Sequence, residues 1–160
     1  MRLAIAAVGR LKDGPERDLF GRYTDRIEKA GRPLGIGPLT VSQLNESRAS
    51  DVASRKRDEA ARLIGAAAIA EVRVVLDETG RAMTSQEFAA WLAAQRDGGS
   101  SGVAFLVGGP DGHGPDVRQS ARLIMSLGPM TLPHGLARIV LAEQIYRAIT
   151  IISGHPYHRD

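Results

Sequence analysis

The stretch Val103-Ala104-Phe105-Leu106-Val107-Gly108-Gly109-Pro110-Asp111-Gly112-His113-Gly114 decides the fold. Its first five residues are all apolar, the pattern of a strand buried on both faces. The seven that follow include four glycines and a proline, so the strand ends abruptly in a loop. Pro115 suits the first turn of a helix, which the pattern carries to about Ser126.

Working outward, Leu3 to Val8 reads as another strand, stopped by Gly9. Leu19, Tyr23, Ile27 and Ala30 recur at helical spacing and predict a helix over residues 15–30. Leu39-Thr40-Val41 with Leu44 reads as a strand, residues 51–68 as a charged, Ala-rich helix, and residues 72–77 as a third strand. Thr84 with Glu87 forms a capping box that opens a helix carrying Phe88, Trp91 and Leu92. Residues 129–132 form a short segment before Pro133, and a last helix runs from His134 to about Ile152. Strands separated by helices of about a dozen residues require a largely parallel sheet covered on both faces. The reading is one α/β domain over residues 1–160, with about five strands.

The last helix carries Leu136, Ile139, Val140, Leu141, Ile145, Tyr146, Ile149, Ile151 and Ile152, apolar almost all round. Such a helix either threads a crowded core or is covered by a second subunit. The second reading predicts a homodimer. Glu143 and Arg147, four apart, are expected to pair.

Composition narrows the chemistry. The chain of 160 residues has no Cys, which excludes disulfides, thiolate metal sites and a cysteine nucleophile. The four histidines lack HExxH spacing or a carboxylate cluster, so no metal is expected. No apolar run approaches the roughly 18 residues of a membrane span, and a cytoplasmic location is expected. With 21 Lys+Arg against 18 Asp+Glu and a pI near 9.7, a nucleic-acid partner is permitted. All but Lys12, Lys29 and Lys56 of the basic residues are Arg, whose planar fork suits oxyanions.

The glycine loop fits neither a dinucleotide fingerprint nor a P-loop: Pro110 follows Gly108-Gly109, and Pro115-Asp116 follows Gly114. Two readings stay open. The loop is a tight turn built by Pro-Asp-Gly, or it takes a nucleoside ligand without phosphates at the carboxyl end of a central strand.

Four segments together resemble a known family: residues 105–112; Thr131-Leu132-Pro133-His134 followed by Ala137-Arg138; Glu143-Gln144-Ile145-Tyr146-Arg147-Ala148; and Pro156-Tyr157-His158. In this order, on a chain opening with Val8-Gly9-Arg10-Leu11-Lys12, they are similar to the bacterial ribosomal RNA large-subunit methyltransferase H family, of the SPOUT class. The resemblance covers the whole chain. It implies a C-terminal trefoil knot, S-adenosylmethionine (S-adenosyl-L-methionine) as methyl donor, and a homodimer with the last helix at its interface. It also implies methylation of N3 of a pseudouridine in large-subunit (23S) rRNA on the assembled ribosome. Cofactor contacts are implied at Leu76, Gly108, Leu127, Gly128, Pro129, Met130, Thr131 and Leu132.

A ring imide nitrogen is a poor nucleophile while protonated, so a base or an anion-stabilising group is required. His134 and His158 are the candidate bases, Arg138 the candidate for steadying negative charge, and Tyr157 the candidate for positioning the target base. The competing readings are a SPOUT methyltransferase acting on another RNA, a non-catalytic ribosome-binding or assembly factor on the same fold, and a generic flavodoxin-like binding domain.

Overall fold

Every residue of β4 (Gly102–Val107) is buried, and the sheet is arranged around it. The computed structural model describes residues 1–157. The other strands are β1 (Arg2–Val8), β2 (Leu39–Leu44), β3 (Val72–Ala82) and β5 (Leu123–Ser126). They pair in the order β2-β1-β4-β3-β5, every pair parallel. Between and after them lie α1 (Pro15–Gly31), α2 (Val52–Ala66), α3 (Ser85–Asp97), α4 (Pro115–Gln119) and α5 (His134–Ser153).

Successive side chains of a strand face opposite ways, and the two faces are filled differently. Leu3, Ile5, Val74, Val103 and Phe105 meet Phe20 and Ile27 of α1, Phe88 and Leu92 of α3, and Leu141, Ile145 and Ile149 of α5. On the other face Ala4, Ala6, Val75, Ala104 and Leu106 meet Ala60 and Leu63 of α2 and Val117 of α4. Three helices therefore cover the face with the larger side chains, and two the face rich in alanine.

One expected element differs. The helix expected to reach Ser126 stops at Gln119, and Leu123–Ser126 is the fifth strand. Ser120 ends the helix by turning its hydroxyl back to the Val117 carbonyl at 2.8 Å. The apolar run after it completes the free edge of β3, starting with the Arg122 N–H on the Arg73 carbonyl at 2.9 Å. A four-residue apolar run has no period that distinguishes strand from helix, so the open edge decides.

The capping box forms as expected, Glu87 N–H to Thr84 Oγ1 at 3.1 Å and Thr84 N–H to Glu87 Oε2 at 2.8 Å. α5 lies against both α1 and α3, so much of its apolar surface is covered within the chain. Leu136 stays 44% exposed, and Val140, Ile151 and Ile152 are only partly buried.

Phe105 is fully buried and meets Phe88 edge-on at 6.0 Å. Phe105→Ala is expected to cost about 3–5 kcal/mol of stability, read as a lower urea midpoint with an unchanged slope.

Candidate functional site

The middle of β3, where its pairing with β5 shifts register after Leu76, and the carboxyl ends of β4 and β5 come together beside the start of α5, around a cleft of about 370 Å³. β3 supplies Leu76, Asp77 and Glu78, and β4 with its loop supplies residues 107–113. β5 and the loop beyond it supply Met125, Ser126, Leu127, Gly128, Met130, Thr131 and Leu132; His134 and Ala137 of α5 close the side. Of the expected cofactor contacts, Leu76, Gly108, Leu127, Gly128, Met130, Thr131 and Leu132 all line this cleft. Pro129 is exposed beside it and does not.

The walls are backbone-rich for local reasons. Gly112 N–H closes a turn onto the Gly109 carbonyl at 3.0 Å, so the tight-turn reading of the loop holds at the same time as the cleft exists. A Cβ on Gly109 would sit 2.9 Å from Val8 Cγ1 and 3.0 Å from Glu59 Oε2, so any side chain there would have to displace Val8 and the Glu59 carboxylate. Gly128 has φ 122°, and the Ser126 hydroxyl holds it by donating to its carbonyl and accepting from its N–H, both at 3.1 Å. Arg55 pins the loop to α2 through an ion pair with Asp111 at 2.7 Å.

The charge of the cleft is distinctive. Asp77, Glu78 and Asp111 line it, and among the described residues no Lys or Arg does. Burial works to raise Asp77, but hydrogen bonds from Arg118 and Thr79 outweigh it and hold the carboxyl at about 2. Arg118 of α4 pairs with it at 2.5 Å. With Asp77 and Asp111 each paired to an arginine outside the lining, the cleft offers a ligand carboxylate oxygens and, among the described residues, no cation, which suits a sulfonium better than a phosphate.

His113, which nothing in the sequence singled out beyond its being one of four histidines, forms part of the cleft floor. Its ring is buried and, among the described residues, neither nitrogen has a hydrogen-bond partner. Burial lowers its pKa below the ordinary 6.5; Asp77 and the nearby Leu76 and Leu106 carbonyls offset only part of this. Asp77 also escaped notice, although its place at the end of a legible strand is a usable signal.

His134 lines the cleft and also a second cavity of about 560 Å³, walled by residues 9–16, Glu46, Gly135 and Arg138. Arg138 is 1% exposed. It donates from Nη1 to the Gly9 carbonyl at 3.2 Å and Gln43 Oε1 at 3.1 Å, and from Nη2 to the Val8 carbonyl at 3.1 Å. Tyr157 lines neither cavity. Its hydroxyl donates to Glu143 Oε1 at 3.1 Å, its ring lies 4.6 Å from Tyr146, and the Arg147 guanidinium sits 5.1 Å over it. Burial, Tyr23 and Glu143 together push the phenol above its ordinary value. Glu143 and Arg147 pair at 2.6 Å, as their spacing required. His158 lies outside the described residues.

Residues 1–158 match the family model described as predicted SPOUT methyltransferase. The chain belongs to the SPOUT methyltransferase family. Members of this family take their methyl group from S-adenosylmethionine. Among curated relatives, the ribosomal RNA large subunit methyltransferase H of Xanthobacter autotrophicus is 51% identical over 159 residues, 99% of each chain. The protein of the same name from Allorhizobium ampelinum is 51% identical over 160 residues, all of each chain. Among solved structures, a probable methylase family protein from Haemophilus influenzae gives a TM-score of 0.55 at 10% identity, covering 99% of this chain and 70% of that one. A probable methyltransferase from Bordetella pertussis gives 0.53 at 15% identity, covering 92% and 96%. These last two are likenesses of fold, and they agree with the α/β SPOUT architecture.

The buried imidazole carries a pH signature. The unfolded chain holds a proton on His113 more readily than the folded one, so its contribution to stability is full above 6.5 and declines as pH falls below that value. Melting temperatures of His113→Leu between about pH 8 and pH 5 are expected to fall less steeply than those of the parent chain.

Proposed function

We propose that this protein methylates N3 of a pseudouridine in the 23S RNA of the large ribosomal subunit, on the assembled ribosome, with S-adenosylmethionine bound in the 370 Å³ cleft. The observation that carries the reading is the lining of that cleft: glycine-rich backbone beyond β4 and β5, acidic side chains and, among the described residues, no cationic one. An adenosyl sulfonium is cationic and carries no phosphate, so the residues fit it better than a nucleotide, whose phosphate would find no cation in the lining among the described residues. The curated relatives named for large-subunit ribosomal RNA support the choice of substrate.

When bound, S-adenosylmethionine supplies a methyl group on a sulfonium whose thioether leaves readily, so the protein's task is alignment and proton removal. Leu76, Gly108 and the loop of residues 127–132, Pro129 apart, would hold the donor. His134, on the wall shared by both cavities, takes the N3 proton. Arg138 steadies the negative charge left on the ring. Tyr157 lies along α5, away from both cavities of its own chain, so its part in positioning the base is supplied by the tail of a second copy. The homodimer through α5 belongs to the same reading, supported by the apolar surface that Leu136, Val140, Ile151 and Ile152 leave uncovered. His158 keeps its assignment as a second candidate base.

The trefoil knot is part of this reading too: residues 127–133 carry the chain from β5, at one edge of the sheet, back to α5 against α1 and α3. Action on the ribosome puts the protein in the bacterial cytoplasm. Among the described residues no helix is long and apolar enough to cross a membrane.

Calorimetry is expected to show binding of S-adenosylmethionine and no binding of AMP; failure to bind the sulfonium ends the reading. Mass spectrometry of 23S RNA from cells lacking the gene should show one unmethylated pseudouridine, restored by the intact chain. His134→Ala should keep cofactor affinity while turnover falls about 10²–10⁴-fold.

A further inference from the structure

Across His134 from the cleft lies the larger cavity, whose lining mixes the cations Arg10, Lys12 and Arg138 with the carboxylates Asp13, Glu16 and Glu46. Its volume of about 560 Å³ falls within the range of small-ligand sites. At its inner end Arg138 is a buried cation that, among the described residues, forms no ion pair within 4.0 Å; its Nε has no hydrogen-bond partner. The beginning of α5 also opens here. Pro133 precedes it with no side-chain cap, so the positive end of a 20-residue helix faces the cavity wall.

That helix end already has an internal anion beside it. A Cβ on Gly135 would collide with the Glu16 carboxylate, which reaches over from the first turn of α1. Glu16 also acts electrostatically on Arg138, opposing the effect of its burial. At the rim Arg10 is held by Asn45 Oδ1 at 2.8 Å, while exposed Lys12 has no partner among the described residues.

We propose that this cavity is the acceptor-nucleotide pocket: the target pyrimidine lies beside His134, and its phosphate replaces the Glu16 carboxylate at the start of α5, under Lys12. The inference rests on the rRNA reading above and gives it a second site. A phosphate in place of Glu16 preserves the negative charge near Arg138, so displacement leaves the buried guanidinium no worse compensated. The division of labour follows from where the cations lie: the cleft, lined by no Lys or Arg among the described residues, takes the sulfonium, the neighbouring cavity with Arg10, Lys12 and Arg138 takes the anionic strand, and His134 stands between them.

The test is steady-state methylation of ribosomes from cells lacking the gene, with S-adenosylmethionine affinity measured in parallel by calorimetry. Lys12→Ala is expected to raise KM for ribosomes about tenfold, with cofactor affinity unchanged. Glu16→Gln is expected to lower KM, because a competing internal anion has been neutralised; a purely structural Glu16 would never tighten substrate binding. If the parent chain methylates ribosomes and neither variant moves KM, the pocket is wrong and the function stands. If both variants weaken S-adenosylmethionine binding instead, the cavity belongs to the cofactor and the inference is overturned. If the parent chain does not methylate rRNA at all, the functional reading fails and the pocket fails with it.

Discussion

The carboxyl edge of this sheet depends on one buried guanidinium. Arg138 reaches from the second turn of the last helix to the carbonyls of Val8 and Gly9, where the first strand ends. Burying a charge costs several kcal/mol unless polar partners replace its water. Here two main-chain carbonyls and the Gln43 amide oxygen do so, in place of a carboxylate. Because those acceptors lie at the ends of β1 and β2, the start of α5 is fixed against the β2–β1 side of the sheet, and His134 is carried to the wall between the two cavities.

The rest of the geometry follows from what the sheet carries on each face. Alanines at positions 4, 6 and 104 let α2 approach closely, and α2 in turn pins the β4 loop through Arg55 and Asp111. Leu3, Ile5 and Phe105 on the other face hold α1, α3 and α5. A rigid scaffold of this kind leaves the chemistry to loops at the strand ends, where backbone and small residues dominate.

Much of this was legible in the sequence, and the exceptions have physical reasons. The uninterrupted apolar run of residues 103–107 and its glycine exit identified the central strand and the loop. Thr84 with Glu87, and Glu143 with Arg147, could be read because their partners are local. Leu123–Ser126 was misread because its strand character comes from the vacant edge of β3, some fifty residues earlier in the chain. His113 was invisible as a functional residue since a single imidazole has no period. Arg138 was noticed only through a family resemblance, yet a local signal existed: it stands three and four residues before Leu141 and Ala142, on the buried stripe of α5. An arginine on such a stripe should be read as tethered.

The tether from Val8 to Arg138 also bears on how the chain folds. It joins groups 130 positions apart in sequence, so it is among the longest-range contacts in the fold. Closing so long a loop is entropically costly, and the contact rewards that cost only when the first strand and the final helix are both in place.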